Sequence, residues 1–299
     1  MVYTVTFNPA IDYIMQIDEL INGKTNRSVS EEIYFGGKGI NVSCVLAQLE
    51  VPTTALGFVV GFTGEALENE VKRQGVKTDF IRLKDGCTRI NVKLKGDKET
   101  EINAQGPHID DEAIEKLYEK LDSLVSGDTL VLAGSVPSSM PEDIYEKILK
   151  RLQGKGIRFV VDATNDLLLN VLKYKPFLIK PNIHELEEII GKELKTDEQI
   201  AAAAKELQEK GAVNVLVSLG KDGAMLIDEY GEIHKQPALG GKPINTVGAG
   251  DSMVAGFIAG ADKSYAYALL LGSAAGGATA CNKGLATKHD IEALLKAEK

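Results

Sequence analysis

The chain of 299 residues carries 34 Lys and Arg against 43 Asp and Glu, a formal net charge of −9. Apolar residues make up 44% and charged residues 26%, the balance of a folded globular protein rather than a disordered one. The acidic excess argues against nucleic acid or an anionic membrane as a partner, because such binders carry basic surfaces.

The residues from Met1 to Asp12 lack the basic region of a signal peptide. Cys44, Cys87 and Cys281 are far apart with no CxxC pair, so neither a disulfide framework nor a zinc site is expected. His108, His184, His234 and His289 show no HxxxH spacing. A cytoplasmic protein without a membrane span is expected.

In chain order, Val2 to Phe7 reads as a strand, Ile40 to Leu49 as a helix and Thr54 to Val59 as a second apolar strand. Glu65 to Gln74 is a polar helix stopped by Gly75. Ile114, Leu117, Leu121 and Leu124 recur at helical spacing over Asp111 to Leu124. Thr129 to Ala133 is a short buried strand. Pro141 takes the favoured first position of a helix that Gly154 ends. Strands follow at Arg158 to Val161 and Phe177 to Ile179, then helices at His184 to Ile190 and Asp197 to Lys210. Val213 to Leu219 is a strong strand, and Ala224 to Ile233 a hairpin-like pair. From Ser252 the chain is helical and rich in small residues, and Tyr265 to Cys281 is suited to close packing rather than to lipid. Short apolar strands alternating with amphipathic helices predict an α/β fold with a mostly parallel sheet covered on both faces.

Two segments break this rhythm. Asp12 to Phe35 and Thr88 to Asn103 are polar and strand-like. Ile90, Val92 and Leu94 alternate with Arg89, Asn91 and Lys93, which puts one set on each face of a strand. Lys95 to Lys98 then supplies a hairpin turn. A small sheet with one apolar and one polar face needs a cover on each side. We read it as a lid, polar face over a site and apolar face against another subunit.

Glycine is abundant at 30 residues and proline scarce at 9, and the glycines cluster. Gly36-Gly37-Lys38-Gly39 precedes a helix, where bare amides and the helix N-terminus favour an anion. The spacing is neither a Walker A loop nor GxGxxG. Gly248-Ala249-Gly250-Asp251 opens a second helix. Its amides form a nest for an anion, and the helix dipole is expected to keep first-turn Asp251 ionised, as suits a general base. Asn182 and Glu185 share one face of a helix start and offer oxygen ligands to Mg²⁺, although the same spacing is a capping box. Ser218, Gly220 and Gly223 follow a strand end, where α/β folds place ligands, and Gly134-Ser135 stands in the same relation to the strand at Thr129. No nucleophile triad is suggested.

Taken in order, Asn8-Pro9-Ala10-Ile11-Asp12, Gly36 to Asn41, Lys180 to Glu185 and Val247 to Ser252 resemble the landmarks of the PfkB carbohydrate kinases, over nearly the whole chain. The resemblance implies a ribokinase-like three-layer αβα domain spanning 1–299, with a small β-sheet lid formed by segments of about 12–35 and 88–103. It implies ATP-dependent phosphoryl transfer to a sugar hydroxyl, with Asp251 as base and Gly248, Ala249 and Gly250 as the anion hole. Asp12, Gly37, Lys38 and Asn41 would hold the sugar, with Ser135 beside them. Arg89 matches the lid arginine that meets the substrate phosphate, Asn91 shares its strand face, and Lys24 and Arg27 lie where relatives supply further lid cations. Lys180, Asn182 and Glu185 would serve ATP and Mg²⁺, and Ser218, Gly220 and Gly223 the nucleotide. The lid resembles a clasp through which relatives form homodimers.

The opening Asn8 to Asp12 is similar to the branch acting on phosphorylated ketohexoses. This implies conversion of fructose 1-phosphate to fructose 1,6-bisphosphate, or of tagatose 6-phosphate to tagatose 1,6-bisphosphate. Lys38 stands where the fructose 6-phosphate type tends to have glycine, which leans away from that substrate. A catalytically silent sugar-phosphate sensor should have lost its base, whereas Asp251 and its nest are intact.

Overall fold

The computed structural model describes residues 1–298. The chain begins β1 (Val2–Thr6), β2 (Ala10–Gln16), β3 (Ser30–Gly36), α1 (Lys38–Gln48), β4 (Thr53–Val59), α2 (Gly61–Arg73), β5 (Lys77–Thr78) and β6 (Ile81–Arg82). It continues through β7 (Arg89–Lys95), β8 (Glu99–Asn103), α3 (Asp111–Asp122), β9 (Thr129–Ala133), α4 (Ile144–Leu152), β10 (Arg158–Asp162), α5 (Asn165–Val171), β11 (Leu178–Ile179) and α6 (Ile183–Ile190). Last come α7 (Asp197–Glu209), β12 (Asn214–Ser218), β13 (Ala224–Ile227), β14 (Ile233–Gln236), α8 (Ala249–Gly260), α9 (Tyr265–Ala280) and α10 (Lys288–Ala297).

The main sheet has 10 strands in the order β14-β13-β12-β11-β10-β9-β1-β4-β5, with β6 also on β4. Strands β5, β4, β1, β9, β10, β11 and β12 run parallel, and β13 and β14 close one edge antiparallel. Side-chain alternation sends successive strand residues to opposite covers. Leu130, Leu132 and Val161 pack with α3, α4, α5 and α7, whereas Val131, Val160 and Leu216 pack with α1, α8, α9 and α10. The three-layer α/β expectation is met, with the glycines of α8 and α9 setting the closest approach. A Cβ on Gly256 would stand 2.6 Å from the Leu271 carbonyl, and one on Gly272 would stand 2.8 Å from that of Met253.

The small sheet has four strands in the order β3-β2-β7-β8. It contains the two segments expected to form the lid. Val92, Leu94 and Ile102 lie among polar neighbours at period two, and Ile33, Ile90 and Ile102 are exposed on the outside.

Some boundaries differ from expectation. The helix expected at Pro141 begins at Ile144, because Pro141 heads an i→i+3 turn whose carbonyl accepts the Ile144 amide at 3.1 Å. The hairpin extends to Gln236. Asp228 organises its turn by accepting the Tyr230 and Glu232 amides and bonding His234 Nε2 at 2.8 Å. The helix expected from Ser252 starts at Ala249. Helix α5 and the two-residue strands β5 and β6 have no counterpart in the sequence reading, and the helical stretch expected from Ser252 onward divides into α8, α9 and α10. Among the described residues no helix is long and apolar enough to cross a membrane.

Candidate active site

The carboxyl ends of β1, β9, β10, β11 and β12 open into one cleft of about 1160 Å³. That is above the ~300–1,000 Å³ usual for one small ligand, and it leaves room for two ligands end to end. Ligand sites of α/β sheets lie at such strand ends. The lid closes one end and the β12–β13 turn the other.

At the lid end, register decides which side chains meet. Parallel β2 and β7 set Asp12 opposite Asn91 and Ala10 opposite Arg89. Asn91 Nδ2 donates to Asp12 Oδ1 at 2.8 Å, and Lys93 Nζ lies 3.7 Å from Asp12 Oδ2. Asn91 Oδ1 is buried without a hydrogen-bond partner. Arg89 Nε donates to the Asn8 carbonyl at 3.2 Å, in the connection between β1 and β2. Partial burial lowers the Arg89 pKa, with Asp12 opposing. This corner combines carboxylate and amide groups with cations, a chemistry able to hold hydroxyls and a phosphate.

In the middle, two helix starts converge. Gly37 has φ +130 and a Cβ there would strike Thr6 Cγ2, so only glycine brings this loop so close to β1. Asn41, on the first turn of α1, donates from Nδ2 to Asp251 Oδ2 at 2.8 Å. Gly248 caps α8 at φ +80. The Ala249 amide turns back to the Thr246 carbonyl at 3.2 Å. An anion nest at this helix start would therefore rest on the next first-turn amides, which lack intrahelical acceptors. Lys180 reaches over this turn, its Nζ 3.2 Å from where a Gly250 Cβ would stand.

Asp251 is 5% exposed. Burial first, and then the charge of Asp162, push its carboxyl up to about 6, against the Asn41 hydrogen bond and the Lys38 and Lys180 ammonium groups. A carboxyl of that proton affinity is still mostly ionised at neutral pH, as its first-turn position predicts, but its affinity is set by burial more than by the helix. Desolvation of a buried carboxylate outweighs a terminal dipole. Burial also works against the Lys38 ammonium, but Asp162, Asp251 and Glu185 outweigh it and hold its pKa above the ordinary lysine value.

At the far end, Asn182 and Glu185 form a complete capping box. Asn182 Oδ1 accepts the Glu185 amide at 2.9 Å, and Glu185 Oε2 accepts the Asn182 amide at 2.8 Å. The pair therefore builds the helix start as well as lining the cleft. Ser218 bridges to Asn182 across parallel strand ends. Gly220 and Gly223 turn the chain into β13, and a Cβ on Gly223 would strike the Gln236 carbonyl.

Ser135 lines the cleft with the other expected site residues, apart from Lys24 and Arg27. Those two sit in the exposed loop between β2 and β3, away from the cleft of their own chain. The sequence reading missed Asp162, Lys93 and the wall at Leu239, Gly240 and Cys281. A strand ending in aspartate at the sheet's carboxyl edge was the available signal for Asp162.

A buried carboxyl of raised proton affinity beside two lysines, with helix-start amides and a cleft roomy enough for two ligands, is an arrangement suited to phosphoryl transfer. The chain belongs to the pfkB family of carbohydrate kinases, which it matches over residues 5–292, and its fold is ribokinase-like. It is 45% identical over 297 residues to the 1-phosphofructokinase of Bacillus subtilis (strain 168), covering 99% of this chain and 97% of that protein. It is 38% identical over 288 residues to the D-tagatose-1-phosphate kinase of Bacillus licheniformis, covering 95% and 94%. The crystal structure of phosphofructokinase-2 from Escherichia coli in complex with fructose-6-phosphate superposes with a TM-score of 0.89 at 27% identity, over 99% of this chain and 98% of that one.

Proposed function

We propose that this kinase transfers the terminal phosphoryl group of ATP to the free primary hydroxyl of fructose 1-phosphate, giving fructose 1,6-bisphosphate and ADP. The observation that carries the reading is Asp251 at the junction of a lid-side polar corner and a strand-end nucleotide wall. Likeness to the Bacillus subtilis 1-phosphofructokinase supports the acceptor. In this reading the sugar hydroxyl attacks the γ-phosphorus, its proton passes to Asp251, and the bond to ADP breaks. First-turn amides of α8, with Lys38 and Lys180, meet the charge on the moving phosphoryl group.

Arg89 binds the sugar phosphate, and Asp12, Asn91 and Asn41 hold its hydroxyls. Lys24 and Arg27 join them only if their loop closes over the ligand. Asn182 and Glu185 fit Mg²⁺ by donor chemistry: one Glu185 oxygen is free of the capping box, and hard carboxylate and amide oxygens suit that ion directly or through water. When bound there, the ion would offset phosphate charge. The exposed Ile33, Ile90 and Ile102 fit a second copy of the chain, a homodimer through the lid.

A second acceptor, a tagatose phosphate, has support in the likeness to the Bacillus licheniformis enzyme. The name of that relative puts the phosphate at C1, whereas the sequence reading had it at C6. Product analysis with fructose 1-phosphate, tagatose 1-phosphate, tagatose 6-phosphate and fructose 6-phosphate tests the choice. Preference for fructose 1-phosphate is expected, and turnover of an unphosphorylated sugar alone would overturn the reading.

A further inference from the structure

Asp162 ends β10 at the floor of the cleft and is 1% exposed. Its Oδ1 lies 3.3 Å from Lys38 Nζ and 3.6 Å from Lys180 Nζ. Its Oδ2 is buried with no hydrogen-bond partner. Among the described residues, neither lysine forms an ion pair with any other acid. Keeping a carboxylate in such a place is costly, and the two lysines it joins come from opposite sides of the cleft. Lys38 heads α1 beside the sugar loop, and Lys180 follows β11 and reaches over Gly250.

We propose that Asp162 is a positioning residue of the transfer centre, holding the Lys38 and Lys180 ammonium groups on either side of the phosphoryl path so that both phosphates meet cations already oriented. Two long, flexible like charges would otherwise separate and lose their orientation. The arrangement also balances the centre, with Asp162 and Asp251 against two ammonium groups. Asp162 acts on the base as well. Asp251 faces Asn41 and Lys38 from α1, Asp162 from β10 and Lys180 beyond β11, and Asp162 is the group among them that disfavours its ionisation. Glu185 on α6 bears on Lys38.

The inference rests on the phosphoryl-transfer reading, and its test has one arm that needs no substrate. In the ligand-free protein, ¹³C NMR titration of the Asp251 carboxyl should move to lower pH in Asp162→Asn and stay near the wild-type value in Asp162→Glu. In turnover, Asp162→Asn should lower kcat on the order of a hundredfold, as for a displaced catalytic group, and shift the acid limb of kcat/KM downward. Asp162→Glu should recover the limb but only part of kcat. The Asp162→Asn, Lys38→Met pair should cost less than the product of its single variants. Thermal unfolding checks the fold of each variant. If Asp162→Asn does not fold, Asp162→Glu decides: wild-type kcat in that variant overturns the proposal. So do an unmoved Asp251 titration in folded Asp162→Asn and fully multiplicative costs in the pair. Wild-type protein inert toward every ketohexose phosphate would sink the acceptor assignment alone, leaving the NMR arm to decide for Asp162.

Discussion

The two walls of the cleft are built by opposite rules. The body wall is the carboxyl edge of a sheet buried on both faces, and it holds charged groups with almost no exposure, Asp162 at 1% and Lys180 at 5%. The lid wall is a four-stranded sheet with one face open, where Ile33 is 52% and Ile102 60% exposed. It is tied to the body through Arg89 on the Asn8 carbonyl and through Lys283 Nζ on Glu32 at 2.7 Å. Rigid burial is where proton affinities move, and an open sheet is where side chains can adjust to a ligand. The comparison teaches where each kind of group can sit, and under the proposed function it gives reaction chemistry to the body and acceptor choice to the lid.

The largest effect should come from the body. Asp251→Asn is expected to lower kcat by roughly 10²–10⁴ while sugar-phosphate binding persists, as equilibrium dialysis can measure. Unchanged turnover would break the comparison at its centre. The same carboxyl gives a pH dependence. Its folded pKa of about 6 lies above the ordinary 3.8, so kcat/KM should fall as pH drops through about 6. The stability linkage has the same origin. A raised carboxyl stabilises the fold fully below its unfolded pKa and loses that contribution as pH rises through the folded value. Asp251→Asn should therefore be more stable than wild type at pH 8, by roughly 3 kcal/mol, with the gain vanishing below about pH 4. Equal unfolding midpoints at pH 8 would contradict this.

The next effect belongs to the lid. Arg89→Ala should raise the KM for the sugar phosphate about ten- to a hundredfold, the loss of charged hydrogen bonds worth ~1.5–3 kcal/mol, with the KM for ATP little changed. Equal effects on both ligands would erase the distinction between the walls. Further from the chemistry, Gly256→Val should cost about 1–3 kcal/mol of stability by overpacking α8 against α9, read as a lower unfolding midpoint. Smallest of all, Lys24→Ala and Arg27→Ala should each change stability by no more than ~0.5 kcal/mol. A rise in sugar-phosphate KM without one for ATP would assign their loop to the lid wall.

The chain itself determined what local physics can write. Alternating apolar runs gave the strands, helical spacing gave α3, and period two in β7 gave the lid with its two faces. Glycine clusters such as those at Gly37 and Gly248 were legible because a side chain at these positive-φ positions would be strained. The capping box at Asn182 and Glu185 was legible for the same reason, since its bonds span three residues. Tertiary structure alone decided what distant segments do to one another. Asp162 lies 124 residues from Lys38, and Asn41 lies 210 residues from Asp251. No pattern in the chain announces either pair. The raised proton affinity of Asp251 follows from burial and from Asp162, and the distance of Lys24 and Arg27 from the cleft follows from the path of one exposed loop. Backbone conformation is a short-range property that sequence spells out residue by residue. Electrostatics and burial depend on everything the fold brings near, so they become readable only once the sheet is assembled.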